Sequence, residues 1–169
     1  ILQAAQTSSA SAYYIASKIL QEVGSGRNGT YAGMGASGSV SGNYSTSYKG
    51  IYNFYNIGAT NTTSGSAVNN GLKWASTGTS YLRPWNSRYR SIVGGAIYIG
   101  EKYINVGQNT SYLQKFNVTE KNRYNHQYMS NIEAPNSEAT KTALNEMTLV
   151  FSIPVYTNMP EEVSPIPTK

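Results

Sequence analysis

Glu22 is the side chain of this chain best placed to move a proton. It lies in the stretch Tyr14–Gly24, read Tyr-Ile-Ala-Ser-Lys-Ile-Leu-Gln-Glu-Val-Gly. That stretch predicts a short amphipathic helix ended by glycine. Ala12, Ile15, Ala16, Ile19, Leu20 and Val23 recur at helical spacing and predict one apolar face. At about 100° per residue, Glu22 falls on the border of that face rather than opposite it. A carboxyl partly withdrawn from water at a helix end can serve as the general acid of glycoside hydrolysis. An open Gly/Ser segment follows directly, with Gly24, Gly26, Gly29, Gly33, Gly35, Gly38 and Gly42. The other reading of the same stretch is a capped surface helix with a solvated glutamate.

Composition removes most rival chemistries. The 169 residues contain no cysteine and one histidine, His126. They also contain no aspartate, so all eight acids are glutamates. A thiolate nucleophile, a cysteine or histidine-rich metal site and a Ser-His-Asp triad are therefore excluded. No Gly-x-x-x-x-Gly-Lys-Ser/Thr loop offers a phosphate cradle. Glutamate and tyrosine must carry any catalysis, and no cofactor or metal is implied. A net charge of +5 points to an anionic partner. Fifteen tyrosines against three phenylalanines favour amphipathic platforms for sugars or bases. The thirteen lysines and arginines are scattered rather than clustered, which speaks against nucleic acid and suits an anionic polysaccharide.

The elements that must position Glu22 follow from pattern. Ile51–Ile57, bounded by Gly50 and Gly58, predicts a strand of a small antiparallel sheet. Val68, Leu72 and Ala75 predict a short helix. Asn86 or Ser87 caps a longer one, with Ile92, Val93, Ala96, Ile97 and Ile104 inward and Gly107 beyond its end. Gly94-Gly95 inside it marks close packing, because glycine there costs about 1 kcal/mol per residue. Tyr112–Phe116 and Gln127–Ile132 predict a helical turn or two each, Asn136 or Ser137 starts a helix to about Met147, and Leu149–Tyr156 predicts a final strand. The fold class is α+β, mostly helical, with one domain over 1–160 and a Pro-rich tail over 161–169. No apolar run approaches the roughly 20 residues of a membrane span. The opening on Ile1 without methionine reads as an excised domain.

A series of short motifs carries a resemblance. Gln-Glu-Val-Gly-Ser-Gly (21–26), Tyr-Asn-Phe-Tyr-Asn-Ile-Gly-Ala (52–59) and Tyr-Leu-Arg-Pro-Trp-Asn (81–86) come in that order. Gly-Gly-Ala-Ile-Tyr-Ile (94–99), Tyr-Ile-Asn-Val-Gly-Gln-Asn-Thr (103–110) and Tyr-Leu-Gln-Lys-Phe-Asn-Val (112–118) follow. His-Gln-Tyr-Met-Ser-Asn-Ile (126–132) and Ile-Pro-Val-Tyr-Thr-Asn-Met-Pro (153–160) close the series. From about residue 13 to residue 160 the chain resembles the glucosaminidase domain of Gram-positive autolysins, glycoside hydrolase family 73. The resemblance implies a lysozyme-like fold with a small sheet lining the cleft. It implies endo-β-N-acetylglucosaminidase activity, cutting after GlcNAc in the GlcNAc-MurNAc strands of peptidoglycan. The partners implied are peptidoglycan glycan strands and anionic cell-wall polymers, and the location is secreted, at the cell wall.

On that resemblance, Glu22 matches the catalytic glutamate and Tyr128 a tyrosine near the reacting centre. Tyr52, Phe54 and Asn56 fall where the sheet lines the cleft, and alternate strand residues share a face. Tyr124 and Gln127 join them as substrate-binding candidates. His126 is expected to orient a loop, and Trp85 either stacks on sugar or anchors packing. Relatives carry an aspartate just after the Asn-Ile-Gly-Ala stretch, where this chain has Thr60-Asn61. No second carboxylate is therefore identifiable, since Glu101, Glu120 and Glu133 read as surface charges. That favours one carboxylate, with water or the substrate's 2-acetamido oxygen as nucleophile. A lytic transglycosylase or muramidase on the same scaffold, and a non-catalytic wall-binding module, are the alternatives.

Overall fold

The computed structural model describes residues 1–23, 46–121, 123–125, 133 and 135. Five helices have described bounds: α1 (Leu2–Ser8), α2 (Ala12–Val23), α3 (Ala67–Ser76), α4 (Arg88–Lys102) and α5 (Ser111–Lys115). Short 3₁₀ turns lie at Thr46–Tyr48, Ser80–Leu82 and Ile104–Val106. The predicted α2, α3, α4 and α5 are all present, with ends shifted by a few residues. α1 has no counterpart in the sequence reading. The elements predicted over Gln127–Ile132, Asn136–Met147 and Leu149–Tyr156 and the tail at 161–169 lie outside the described residues.

Caps fix where three helices begin. The hydroxyls of Ser66, Ser87 and Thr110 accept the main-chain N–H of Asn69, Arg90 and Leu113 at 3.3, 3.2 and 3.1 Å. The core joins α1, α2 and α4 through Ala4, Ala10, Ile15, Val93, Ala96 and Ile99, with Tyr55 among them. Glycines on α4 make the approach possible. A Cβ on Gly95 would run into the Tyr55 ring, one on Gly94 into the Tyr81 carbonyl, and one on Gly100 into the Ser8 carbonyl. The close packing expected of Gly94-Gly95 is thus present, and α1 lies against the same stripe.

The apolar face of α2 departs from expectation. Ile15 and Val23 are buried, but Ala16 is exposed and Leu20 is 41% exposed. Lys18 is buried instead. A lysine can turn inward where its stem packs and its ammonium finds an anion, and Glu22 supplies one.

Residues 51–57 do not form a strand. Asn53, wholly buried, accepts the Ile57 N–H at 3.2 Å and donates Nδ2 to the Ile57 carbonyl at 2.8 Å and the Gly71 carbonyl at 3.0 Å. This side chain folds the segment into a turn, and Asn56 (φ 55°) and Gly58 (φ 74°) complete it in left-handed conformation. The turn is tied to α4 by the Phe54 N–H on Ser91 Oγ at 3.2 Å and the Tyr55 hydroxyl on the Ile92 carbonyl at 2.9 Å. Among the described residues an isolated bridge pairs Thr62 with Gly65, Tyr52 is a further bridge residue, and the Tyr52 N–H donates to the Trp85 carbonyl at 2.9 Å. The expected sheet does not appear in this part of the chain.

Candidate active site

Glu22 sits in the last turn of α2, and its side chain is 22% exposed. Two donors hold the carboxyl group. Lys18 Nζ, one turn earlier on the same helix, lies 3.2 Å from Oε1. Asn56 Nδ2 donates to Oε2 at 2.8 Å and to the Glu22 carbonyl oxygen at 3.1 Å. The turn built by Asn53 therefore delivers an amide to an acid 34 residues earlier in the chain.

A cavity of about 470 Å³ opens beside this group, lined by Lys18, Glu22, Asn56, Thr60, Gln114 and the tyrosines 55, 98 and 103, among others. Tyr55 is 5% exposed, and burial, with a smaller contribution from Tyr14, pushes its phenol well above the ordinary range. It stays neutral and faces the cavity as a wall. Gln114 is buried, accepts the Tyr14 hydroxyl at 2.6 Å and donates to the Gln108 carbonyl at 3.2 Å. Gln114 on the cavity wall is thus tied by hydrogen bonds to α2 and to the loop before α5.

The other expected site residues separate into groups. Tyr52 and Phe54 stack, with centroids 6.1 Å apart and planes 10° from parallel, and the Arg88 guanidinium lies 5.7 Å above Tyr52. They share a face as expected but do not line the cavity. Asn56 turns to Glu22. Tyr124 is 69% exposed, with φ 65°, and is likewise not part of the cavity wall. Its main-chain N–H donates to the Asn117 carbonyl at 2.6 Å, and Asn117 Nδ2 donates to the Asn125 carbonyl at 2.7 Å. His126, Gln127 and Tyr128 lie outside the described residues. Trp85 is an anchor of packing: it is wholly buried, packs edge-on to Trp74 and donates Nε1 to the Tyr81 carbonyl at 2.7 Å.

The remaining described acids stand apart. Glu101, Glu120 and Glu133 are exposed, and none lines the cavity. Glu101 hydrogen-bonds the Tyr81 hydroxyl, whose pKa is raised by burial first and by that contact second. Among the described residues no group of three or more His, Cys, Asp or Glu side chains is arranged to hold a metal. No described helix is long and apolar enough to cross a membrane. The sequence reading missed Lys18, whose position four residues before Glu22 was a visible signal, and Tyr55, which it took only as a strand former.

No protein-family model matches the chain. A bifunctional autolysin of Staphylococcus epidermidis is 31% identical over 161 residues, covering 91% of this chain and 11% of that protein. The chain thus spans about a tenth of the relative's length. Among solved structures, a catalytic mutant of Staphylococcus aureus autolysin E in complex with the disaccharide NAG-NAM superposes with a TM-score of 0.57. It is 22% identical and covers 83% of this chain and 55% of its own. Autolysin E in complex with the muropeptide NAM-L-Ala-D-iGlu gives 0.50 at 25% identity, with the same coverage. In sequence the chain is similar to a segment of these bifunctional autolysins, and in fold to autolysin E.

Proposed function

We propose that the chain is a peptidoglycan hydrolase domain, an endo-β-N-acetylglucosaminidase that cuts the β-1,4 bond after GlcNAc in GlcNAc-MurNAc strands. The observation that carries this reading is the Glu22 carboxyl, fixed by two donors on the wall of a cavity that no other described carboxylate lines. The autolysin relatives support it, since autolysin E binds a NAG-NAM disaccharide and a muropeptide. Glu22 gives its proton to the departing glycosidic oxygen as the bond to the anomeric carbon breaks. Water or the substrate's 2-acetamido oxygen attacks that carbon, and the carboxylate left behind pairs with Lys18. Tyr128 belongs near the reacting centre on the resemblance, where a phenol can bond the acetamido group or the attacking water.

The sugar-binding candidates in this reading are the Tyr52–Phe54 stack, Tyr124 and, on the resemblance, Gln127. A small sheet beside the cleft, a catalytic unit over 1–160 with a tail at 161–169, and a secreted, wall-associated protein complete it. The net charge of +5 suits anionic wall polymers as additional partners. Clearing of purified walls by Glu22→Gln tests the assignment. General acid catalysis contributes about 10²–10⁴-fold, so the variant is expected to retain less than about a hundredth of wild-type lysis. Retention of more than a tenth would move the acid elsewhere.

A further inference from the structure

Asn56 has φ 55°, a backbone conformation that glycine adopts freely and that a side chain makes costly. Its amide oxygen Oδ1 is buried with no hydrogen-bond partner, which adds a desolvation cost. Backbone and burial therefore both argue for glycine at this position. What the asparagine contributes instead is its Nδ2, which reaches Glu22 Oε2 at 2.8 Å and the Glu22 carbonyl at 3.1 Å. Strain and an orphaned polar atom kept at one residue mark a place where the fold serves something other than its own stability.

We propose that Asn56 is a positioning residue for the acid rather than a sugar contact, and that it holds the Glu22 carboxyl in one rotamer from outside the helix that carries it. Nδ2 ties Oε2 and the Glu22 carbonyl oxygen to the turn at 53–58, while Lys18 Nζ faces Oε1 at 3.2 Å. When the carboxyl gives its proton to the glycosidic oxygen, the negative charge forms between these two donors. They come from different elements and divide the work. Asn56 fixes the rotamer, and Lys18 meets the charge.

This inference rests on the reading of Glu22 as general acid, and the variants Asn56→Gly and Asn56→Asp test it. Glycine accepts φ 55° and removes both the amide and the orphaned oxygen, while aspartate keeps the shape, removes the donor and sets a second carboxyl against Oε2. On soluble glycan strands, both are expected to lower kcat about tenfold or more, because a small misplacement of a reacting group is costly. KM should stay within about twofold, and Asn56→Gly should melt no lower than the wild type by more than a few degrees. The three-bond NMR couplings of the Glu22 side chain should report one rotamer in the wild type and averaging in both variants. A rise in KM with kcat unchanged would make Asn56 a ligand contact and overturn the proposal. So would a kcat within twofold of wild type, or unaltered couplings. If Glu22→Gln proves as active as the wild type, the acid assignment fails on its own, and the couplings still decide whether Asn56 positions Glu22.

Discussion

Lys18 and Glu22 face each other across one turn of α2, Nζ 3.2 Å from Oε1, with the acid as the C-terminal member of the pair. That order is the weaker one for a helix, because a carboxylate near the C-terminus meets the negative end of the dipole. Lys18 is also buried. The pair is therefore placed for the cavity it faces and not for the stability of α2.

Unequal costs follow when either partner is removed. In Glu22→Gln one oxygen and one amide must meet two donors, so one donor is left facing another. An unsatisfied buried polar group costs about 1–3 kcal/mol. In Lys18→Met the stem is kept, and the carboxylate retains Asn56 and the water that reaches its 22% exposed side chain. Thermal melts should therefore place Lys18→Met above Glu22→Gln. The reverse order would mean that the ammonium, not the acid, is the stabilising partner.

Gly95 allows the Tyr55 ring to lie directly on α4, with its hydroxyl bonded to the Ile92 carbonyl. Gly95→Ala puts a methyl group into the ring, and overpacking of this kind costs about 1–3 kcal/mol. Since Tyr55 precedes Asn56, the displaced turn should also loosen the amide from Glu22. Lower stability together with lower wall lysis is expected; lysis unchanged in a destabilised variant would uncouple the turn from the acid.

Tyr55 also predicts a limit on alkaline stability. Its phenol is held neutral in the fold by burial, above the ordinary value of 10.0. Above that ordinary value the unfolded chain loses the proton while the fold keeps it, so the unfolded state binds fewer protons. Stability is then present in full below about pH 10 and falls as pH rises past it. Denaturant titrations from pH 8 to 11 should show this decline, and Tyr55→Phe should flatten it. An equal decline in both proteins would assign the effect to other tyrosines.

The Tyr52–Phe54 stack stands outside the cavity with Arg88 above it. As a sugar platform it should act on binding and not on the chemical step. Aromatic contacts of this kind contribute about 0.5–1.5 kcal/mol, so Tyr52→Ala should raise KM roughly two- to tenfold with little change in kcat. A selective loss of kcat would place Tyr52 at the reacting centre.

Much of the helical frame is legible in the sequence, because Ser87 announces α4 and the apolar residues of α3 and α4 keep helical spacing; the caps Ser66 and Thr110 are seen only in the structure. The helix that carries Glu22 is legible too, from the helical spacing of Ile15, Ile19 and Val23. The turn at 51–57 is not. Its residues are strand formers by type, and the side-chain hydrogen bonds of Asn53 to Ile57 and Gly71 override that preference. The two bonds to Ile57 are local, but the one to the Gly71 carbonyl needs α3 in place, and no pattern within 51–57 reveals it. Lys18 misled the reading of α2 in the same way. A lysine at an inward position is ruled out by hydrophobicity alone and becomes intelligible only once Glu22 and the cavity are seen together. Leu20, apolar and exposed, is the other half of that rotation.

The reducing ends released from purified peptidoglycan test the central claim most directly. Reduced digests analysed by mass spectrometry should carry new GlcNAc ends with the wild type and none with Glu22→Gln. New MurNAc ends would show a muramidase, 1,6-anhydro-MurNAc ends a lytic transglycosylase, and tight wall binding with no new ends a binding module. Any of these three would contradict the account.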